Sequence, residues 1–363
     1  EYPMQQGGGN DGRPYSFGRP SSGGSKAAYP CKSYGQGRIN PAYFYGVFDP
    51  NDMRRDVSIT MTGSNGKGVE KLIPFVPNSK AEGGGLTLNK WDENRQANPW
   101  VAAQRKSGIN GPYMRMSEVY LGYAEVCAAL GDVVTGKQYL KTVRERSFPQ
   151  GLADTDGFIA SFGNDLVRAI IEERGFEYAG EGDRRWTLIR SGYLPEDIKR
   201  IKDMTKAMMD GLATKGYYEF ENGNIISAYI WTKLVDAKTI YGHRLTAQCP
   251  MDKVNDPVLY PGWRGQKDNW EEMGLNYGNS APATNLAIKG LFEIVSEEEA
   301  ASLESQGYAK VNWGIDLVDN RDEYDKYLFW DYDYVSAPIY LWPFTPNVMA
   351  AGGFTNGYGF KQE

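Results

Sequence analysis

Histidine is almost absent from this sequence. His243 stands alone in 363 residues, and there are only three cysteines, Cys31, Cys127 and Cys249. One histidine excludes a histidine-built metal site and any mechanism that needs two of them. His243 has no Ser or Cys partner in a nucleophile motif, so it reads as a loop residue. The cysteines lie far apart without metal-ligand spacing. Cys127 falls on an apolar helical face and reads as a small core residue, while a Cys31–Cys249 bridge stays open. No motif implies a cofactor or a metal. Also missing is any apolar run approaching the ~18 residues of a membrane-spanning helix. There is no basic excess either: 40 Lys+Arg against 46 Asp+Glu leave a net charge of −6. The basic residues are scattered and matched by acids, which argues against nucleic acid as a partner. No signal peptide opens the chain, and EYPMQQGGGND reads as a mature start or an internal cut.

Glycine and aromatics are abundant. The chain has 43 glycines, well above the usual ~7%, so much of the backbone must be turn and loop. Its 25 Tyr, 14 Phe and 9 Trp are plentiful; aromatic-rich loops suit recognition, while many of these rings belong to the core. Three regions follow. Residues 1–110 are loop-rich, 111–200 form a helical core, and 201–363 mix loops, short helices and a tail. In the first region, the alternation Val57, Ile59, Met61 after the turn at Asp49–Asp52 reads as a strand, and GGGLTLNKW as a second, short one.

The helical core begins near Tyr113. In RMSEVYLGYAEVCAALGD the apolar positions Met116, Val119, Tyr120, Tyr123, Ala124 and Cys127 recur at helical spacing and predict a buried stripe. Gly131-Asp132 stops that helix, and a second runs from Thr135 to Arg146, burying Tyr139, Leu140 and Val143. The span Tyr113–Arg146 covers 34 residues, the period of one tetratricopeptide-type hairpin. One such unit cannot cover its own apolar faces and should stack on other helices. A third helix is expected over Asn164–Ala179 with Asn164 as its cap. DRRWTLIRSG gives a short helix ended by Gly192, and LPEDIKRIKDMTKAMMDGL another entered by Pro195. Further on, SAPATNLAIKG and VSEEEAASLESQGY read as short helices.

The densest chemistry lies in EERGFEYAGEGDRRW. Arg174 and Glu177 are three apart, as are Glu181 and Arg184, while Glu181 and Arg185 are four apart; on helices such spacings bring opposite charges together. The rings of Phe176, Tyr178 and Trp186 imply that part of this network is covered, where Arg–carboxylate forks supply the required partners. A glycosidase would instead pair Glu172 or Glu177 with Asp183. Its acid needs a raised pKa, and neighbouring arginines lower it. The stretch reads as a structural clamp.

Five separated lines, in this order, resemble the SusD/RagB family of outer-membrane nutrient-binding proteins: FDPNDMRRDVSIT, PYMRMSEVYLGYAEVCAALGD, QYLKTVRERSF, AIIEERGFEYAGEGDRRWTLIRSG and YLWPFTPNVMAAGGFTNGYGF. The closing line departs from the family in having Trp-Pro-Phe-Thr-Pro where Pro-Ile-Pro is usual. The resemblance implies a mainly α, SusD-like fold, with tetratricopeptide-type helical hairpins, long irregular loops and a few short strands. It implies a non-enzymatic surface lipoprotein of the outer membrane that acts as a lid on a SusC-like TonB-dependent barrel and captures an oligosaccharide, sometimes a peptide. The family's lipid-bearing cysteine and earlier helices have no counterpart here. This chain therefore reads as the C-terminal portion of a longer protein, or one half of a split one, with its anchor in a segment it lacks.

Sugars lie flat on exposed rings and need flanking polar groups. By composition, the candidates are Tyr15, Phe17, Tyr29 and Tyr34 among Arg13, Arg19 and Arg38, and the loop of Trp263, Arg264, Asn269 and Trp270. The same rings could anchor long loops to the core. A carbohydrate-active enzyme and a purely structural subunit with a filled groove remain as competing classes.

Overall fold

The computed structural model describes residues 40–60, 62–64, 70–72, 86–88, 90, 114–148, 151–236 and 284–314, with short pieces between 333 and 355. Among these the architecture is mainly helical, with four small antiparallel sheets.

Aspartates start four of the helices by accepting a backbone N–H of the first turn. Asp52 caps α1 (Met53–Ser58), Asp132 caps α3 (Val133–Glu145), Asp154 caps α4 (Thr155–Ala160) and Asp165 caps α5 (Leu166–Glu177). The cap of α5 is thus Asp165 and not Asn164, which adopts a left-handed φ of 64° one residue earlier. Between α1 and α3 lies α2 (Met116–Ala129), and α6 (Asp183–Ser191) and α7 (Leu194–Lys215) follow α5. As the sequence predicts, α6 ends at Gly192 and α7 carries Pro in its first turn.

Two local readings change. The run around Val57 is helical through Ser58, because the Asp52 cap starts α1; extended pairing begins only with β1 (Ile59–Thr60), beside β4 (Thr87–Leu88). Between them in sequence, β2 (Thr62–Ser64) pairs with β3 (Glu70–Leu72). SAPATNLAIKG gives a strand, β8 (Thr284–Lys289), and not a helix. It pairs along six residues with β7 (Tyr229–Asp236), which also pairs with β9 (Ala309–Asn312); strand partners outweigh the helix propensity of a short segment. A hairpin, β5 (Tyr217–Glu219) and β6 (Ile225–Ser227), closes onto the end of α7. Helix α8 (Glu297–Ser305) begins with the capping box of Ser296 and Glu299, and α9 (Pro346–Gly352) lies in the tail.

Helix α5 is the hub. Phe176 joins a core of Phe44, Tyr45, Phe48, Met208, Phe220, Ile230 and Trp313. Leu166, Ala169 and Ile170 join Leu121, Ala124, Leu140 and Val143 of the α2–α3 hairpin. Ile171 packs on Leu188 and Leu194. Ten of the twelve residues of α5 are buried, so three packed neighbourhoods close Glu172, Glu173, Arg174 and Glu177 off from water.

The hairpin itself corrects the predicted stripe. Leu121, Ala124 and Cys127 face inward, but Met116, Val119 and Tyr123 are at least half exposed, together with Val126, Leu130, Val133 and Val134. Helix α2 is apolar on two faces, so periodicity alone does not choose between them; contact with α3 and α5 does.

Candidate functional site

Burial of α5 places Glu172, Glu173 and Glu177 in the interior, at 0–2% exposure. An isolated buried carboxylate is too costly to keep ionised, so each must find cations and hydrogen-bond donors. Glu173 accepts from Arg54 Nη1 at 2.6 Å and from Arg144 Nη1 at 2.7 Å. Glu177 takes Arg54 at 3.0 Å, Arg146 at 2.6 Å and also Arg115. Arg115 continues to Glu181 through Nη2 at 2.8 Å, and Lys90 joins that same carboxylate. Arg54 also forks onto Asp52, its Nη2 lying 2.6 Å from Oδ2.

A second knot surrounds Glu172. Arg184 bridges Glu172 at 2.8 Å and Asp197 at 3.0 Å, while Arg200 bridges the same pair and Arg168 reaches Asp197. Arg174 binds Asp183 at 2.5 Å and Thr187 at 3.2 Å. Aromatic faces cover the guanidiniums, with Arg144 3.7 Å from the Phe158 centroid, Arg168 4.2 Å from Tyr193 and Arg115 4.7 Å from Tyr178. Gly175 is required here: a Cβ at that position would stand 2.4 Å from the Tyr43 hydroxyl and 2.7 Å from Arg184 Nη1.

The electrostatics follow. Burial by itself raises the Glu177 carboxyl, but Arg54, Arg115 and Arg146 outweigh it and bring the pKa down to about 2. Asp197 is lowered in the same way, by Arg184, Arg200 and Arg168 against its burial. Burial pushes the Tyr178 phenol up to about 12 and lowers Lys90 despite Glu181 beside it. Glu177 and Asp197, held ionised and buried, do not donate protons to a substrate, so these two have the chemistry of a clamp.

The sequence identified the participants on α5 and α6 but not their partners. Arg174 turns to Asp183, Glu181 to Arg115 and Lys90, and Arg184 to Glu172 and Asp197. Arg185 donates to the Tyr340 carbonyl at 3.1 Å. Local spacing fails because Gly182, at φ 90°, separates Glu181 from α6. Of the residues missed, Asp52, Arg54, Arg115, Arg144 and Arg146 lie in the separated lines NDMRRD, PYMRMSE and TVRERSF, while Lys90, Arg168, Asp197 and Arg200 lie in none of them. The signal was one or more arginines in each line, opposite a carboxylate-rich fourth.

Beside the clamp opens a cleft of about 870 Å³, bounded by the 46–52 loop, α4 with the turn after it, α7 and the β5–β6 hairpin. Arg144 and Arg200 reach it from the clamp. Asn224 fixes one wall, donating to the carbonyls of Tyr45, Gly46 and Phe48 at 3.1, 3.2 and 2.8 Å.

The sequence candidates for ligand contact, Tyr15, Phe17, Tyr29, Tyr34, Trp263 and Trp270, lie outside the described residues, as do His243, Cys31 and Cys249. Cys127 is buried and free. Among the described residues, no group of three or more His, Cys, Asp and Glu could hold a metal, and no helix is long and apolar enough to cross a membrane.

The family signature described as SusD family matches residues 1–343. The SusD-like protein P25 of Formosa agariphila is 28% identical over 160 residues, 44% of this chain and 26% of that protein. A SusD superfamily protein from Bacteroides vulgatus aligns at TM-score 0.31 and 20% identity, covering 47% of this chain and 36% of its own. A SusD homolog from Bacteroides thetaiotaomicron aligns at TM-score 0.31 and 22% identity, covering 44% and 33%. The chain thus spans about a quarter to a third of the length of these relatives.

Proposed function

Since the chain belongs to the SusD family, whose members are nutrient-binding outer-membrane proteins and not enzymes, we propose that it is a ligand-capturing lid on a SusC-like TonB-dependent barrel, with an oligosaccharide as cargo. The observation that carries this reading is the state of its carboxylates. Glu172, Glu173 and Glu177, the buried carboxylates of the clamp, are locked into arginine pairs at 0–2% exposure, which makes these three rigid scaffolding and not an acid–base pair. A lid needs such a scaffold: capture by loops requires fixed elements beneath them.

The uncovered apolar face of α2 supports a second element of the proposal. Five large side chains at i, i+3, i+7, i+10 and i+14, from Met116 to Leu130, form one stripe along the helix. Monomeric surfaces rarely expose so continuous a patch. Further helical hairpins of the same protein, or of a companion half, would cover it by stacking as repeats do.

The test is a pull-down of the native protein from outer membranes in mild detergent, with co-purifying chains identified by mass spectrometry. A large TonB-dependent barrel in the eluate supports the lid. A chain that elutes alone and cleaves a polysaccharide overturns it.

A further inference from the structure

We propose that the cleft beside the clamp is the docking site of a segment of this same chain, the basic and aromatic stretch of residues 13–38. The contact is internal to the protein and does not depend on which cargo it captures.

The cleft offers an uncovered apolar floor. Phe158 on α4, Phe162 in the turn after it, Met204 on α7 and Tyr218 on β5 line it, and all four keep part of their surface exposed. An apolar concavity of about 870 Å³ favours an occupant that removes those side chains from water. The same lining sets the sign of that occupant. Asp49, Asp154, Asp203 and Glu221 belong to it, and of these only Asp203 has an ion pair among the described residues, an exposed one with Lys199. The two cationic groups of the lining bring no compensation, because Arg144 is held by Glu173 and Arg200 by Glu172 and Asp197. An occupant with both rings and positive charge complements such a wall.

Residues 13–38 have that chemistry. They hold Arg13, Arg19, Lys26, Lys32 and Arg38 with no Asp or Glu, and Tyr15, Phe17, Tyr29 and Tyr34 are interleaved among them. The stretches 91–113 and 237–283, also outside the described residues, carry acids as well as bases. Residues 13–38 also end in a suitable place. Asn40, two residues on, donates to Thr205 Oγ1 of α7 at 2.8 Å, next in sequence to the cleft-lining Met204, and the chain enters the cleft wall at Gly46. At ~3.3–3.6 Å per residue a dozen residues span ~40 Å, so reach does not limit the contact. So short a tether sets an effective concentration of about millimolar, which a second chain in dilute solution does not match. The rings of the segment then cover Phe162 and Tyr218, and an outside ligand that needs those rings has to displace the segment first.

The experiment is zero-length carbodiimide cross-linking of the full chain, mixed from isotopically heavy and light protein, with the links mapped by mass spectrometry. The expected links join Lys26 or Lys32 to Asp49, Asp154, Asp203 or Glu221 within one copy. Chymotryptic cleavage after Phe17 and Tyr34 then reports how often the segment is released. Asp203→Lys/Glu221→Lys changes two exposed residues outside the clamp, and thermal melts check that the variant is folded. It should speed cleavage about tenfold, as two attractions become repulsions. Adding Lys26→Glu/Lys32→Glu should restore the slow rate. Links between heavy and light copies overturn the proposal in favour of a second chain in the cleft. Links from Lys26 and Lys32 only to carboxylates elsewhere, or cleavage unchanged by the charge reversal, overturn it outright.

Discussion

Replacing Glu177 by Gln tests the clamp most directly, because it keeps the shape and removes one charge from among three arginines. In the folded protein this carboxyl titrates at about 2 against an ordinary 4.5. A difference of ~2.5 units at ~1.4 kcal/mol per unit gives about 3 kcal/mol of stability at pH 7, the low end of the ~3–5 kcal/mol expected when one partner of a buried pair is removed. The sign is fixed by the depressed pKa: the contribution is complete above pH ~4.5 and is lost as pH falls through ~2. At pH 3.5 about 2 kcal/mol of it remains by the same linkage. The gap between wild type and Glu177→Gln should therefore narrow by about 1 kcal/mol between pH 7 and pH 3.5. Urea unfolding followed by tryptophan fluorescence measures both quantities without the charge screening that guanidinium brings. A gap under ~1 kcal/mol at pH 7, or one that does not narrow with acid, would refute the argument that Arg54, Arg115 and Arg146 hold this group ionised.

Other positions give independent checks. Gly175→Ala should destabilise by about 1–3 kcal/mol in urea titrations, reversing the usual gain of alanine over glycine in a helix, because Tyr43 and Arg184 occupy the space. Asn224→Ala should cost about 1–3 kcal/mol, since it leaves the carbonyls of Tyr45, Gly46 and Phe48 without that donor; hydrogen exchange should show loosening confined to the short π-helix Tyr43–Val47 and Phe48 after it. Val126→Ser/Leu130→Ser, on the uncovered stripe of α2, should change the stability of the isolated chain by no more than ~0.5 kcal/mol per site and reduce self-association in light scattering. A large stability loss there would mean that the stripe is covered within this chain.

Much of the scaffold was legible because it is locally encoded. Aspartate caps and glycine stops act over one turn, so the α2–α3 hairpin, α6 and α7 appear in the sequence nearly where they occur in the structure. The clamp was legible in kind for a similar reason: aromatic side chains interleaved with carboxylates and arginines imply covered charge, and covered charge must be paired. Locally encoded too, yet misread, was the cap of α5, where adjacent Asn164 and Asp165 have nearly equal capping preference and backbone geometry decides between them.

What the sequence by itself determined was the presence of a charge-dense helix that has to be satisfied, and the family to which its separated lines point. What only the tertiary structure decided was the identity of each partner and each face. Arg54 meets Glu173 and Glu177 across 119 and 123 residues of chain, a pairing that no helical spacing expresses. Likewise the inward face of α2 is the one that α3 and α5 cover, although the opposite face is equally apolar in sequence. Periodicity ranks the faces of one helix in isolation; burial is a property of the neighbours, and they are assembled from segments far apart along the chain.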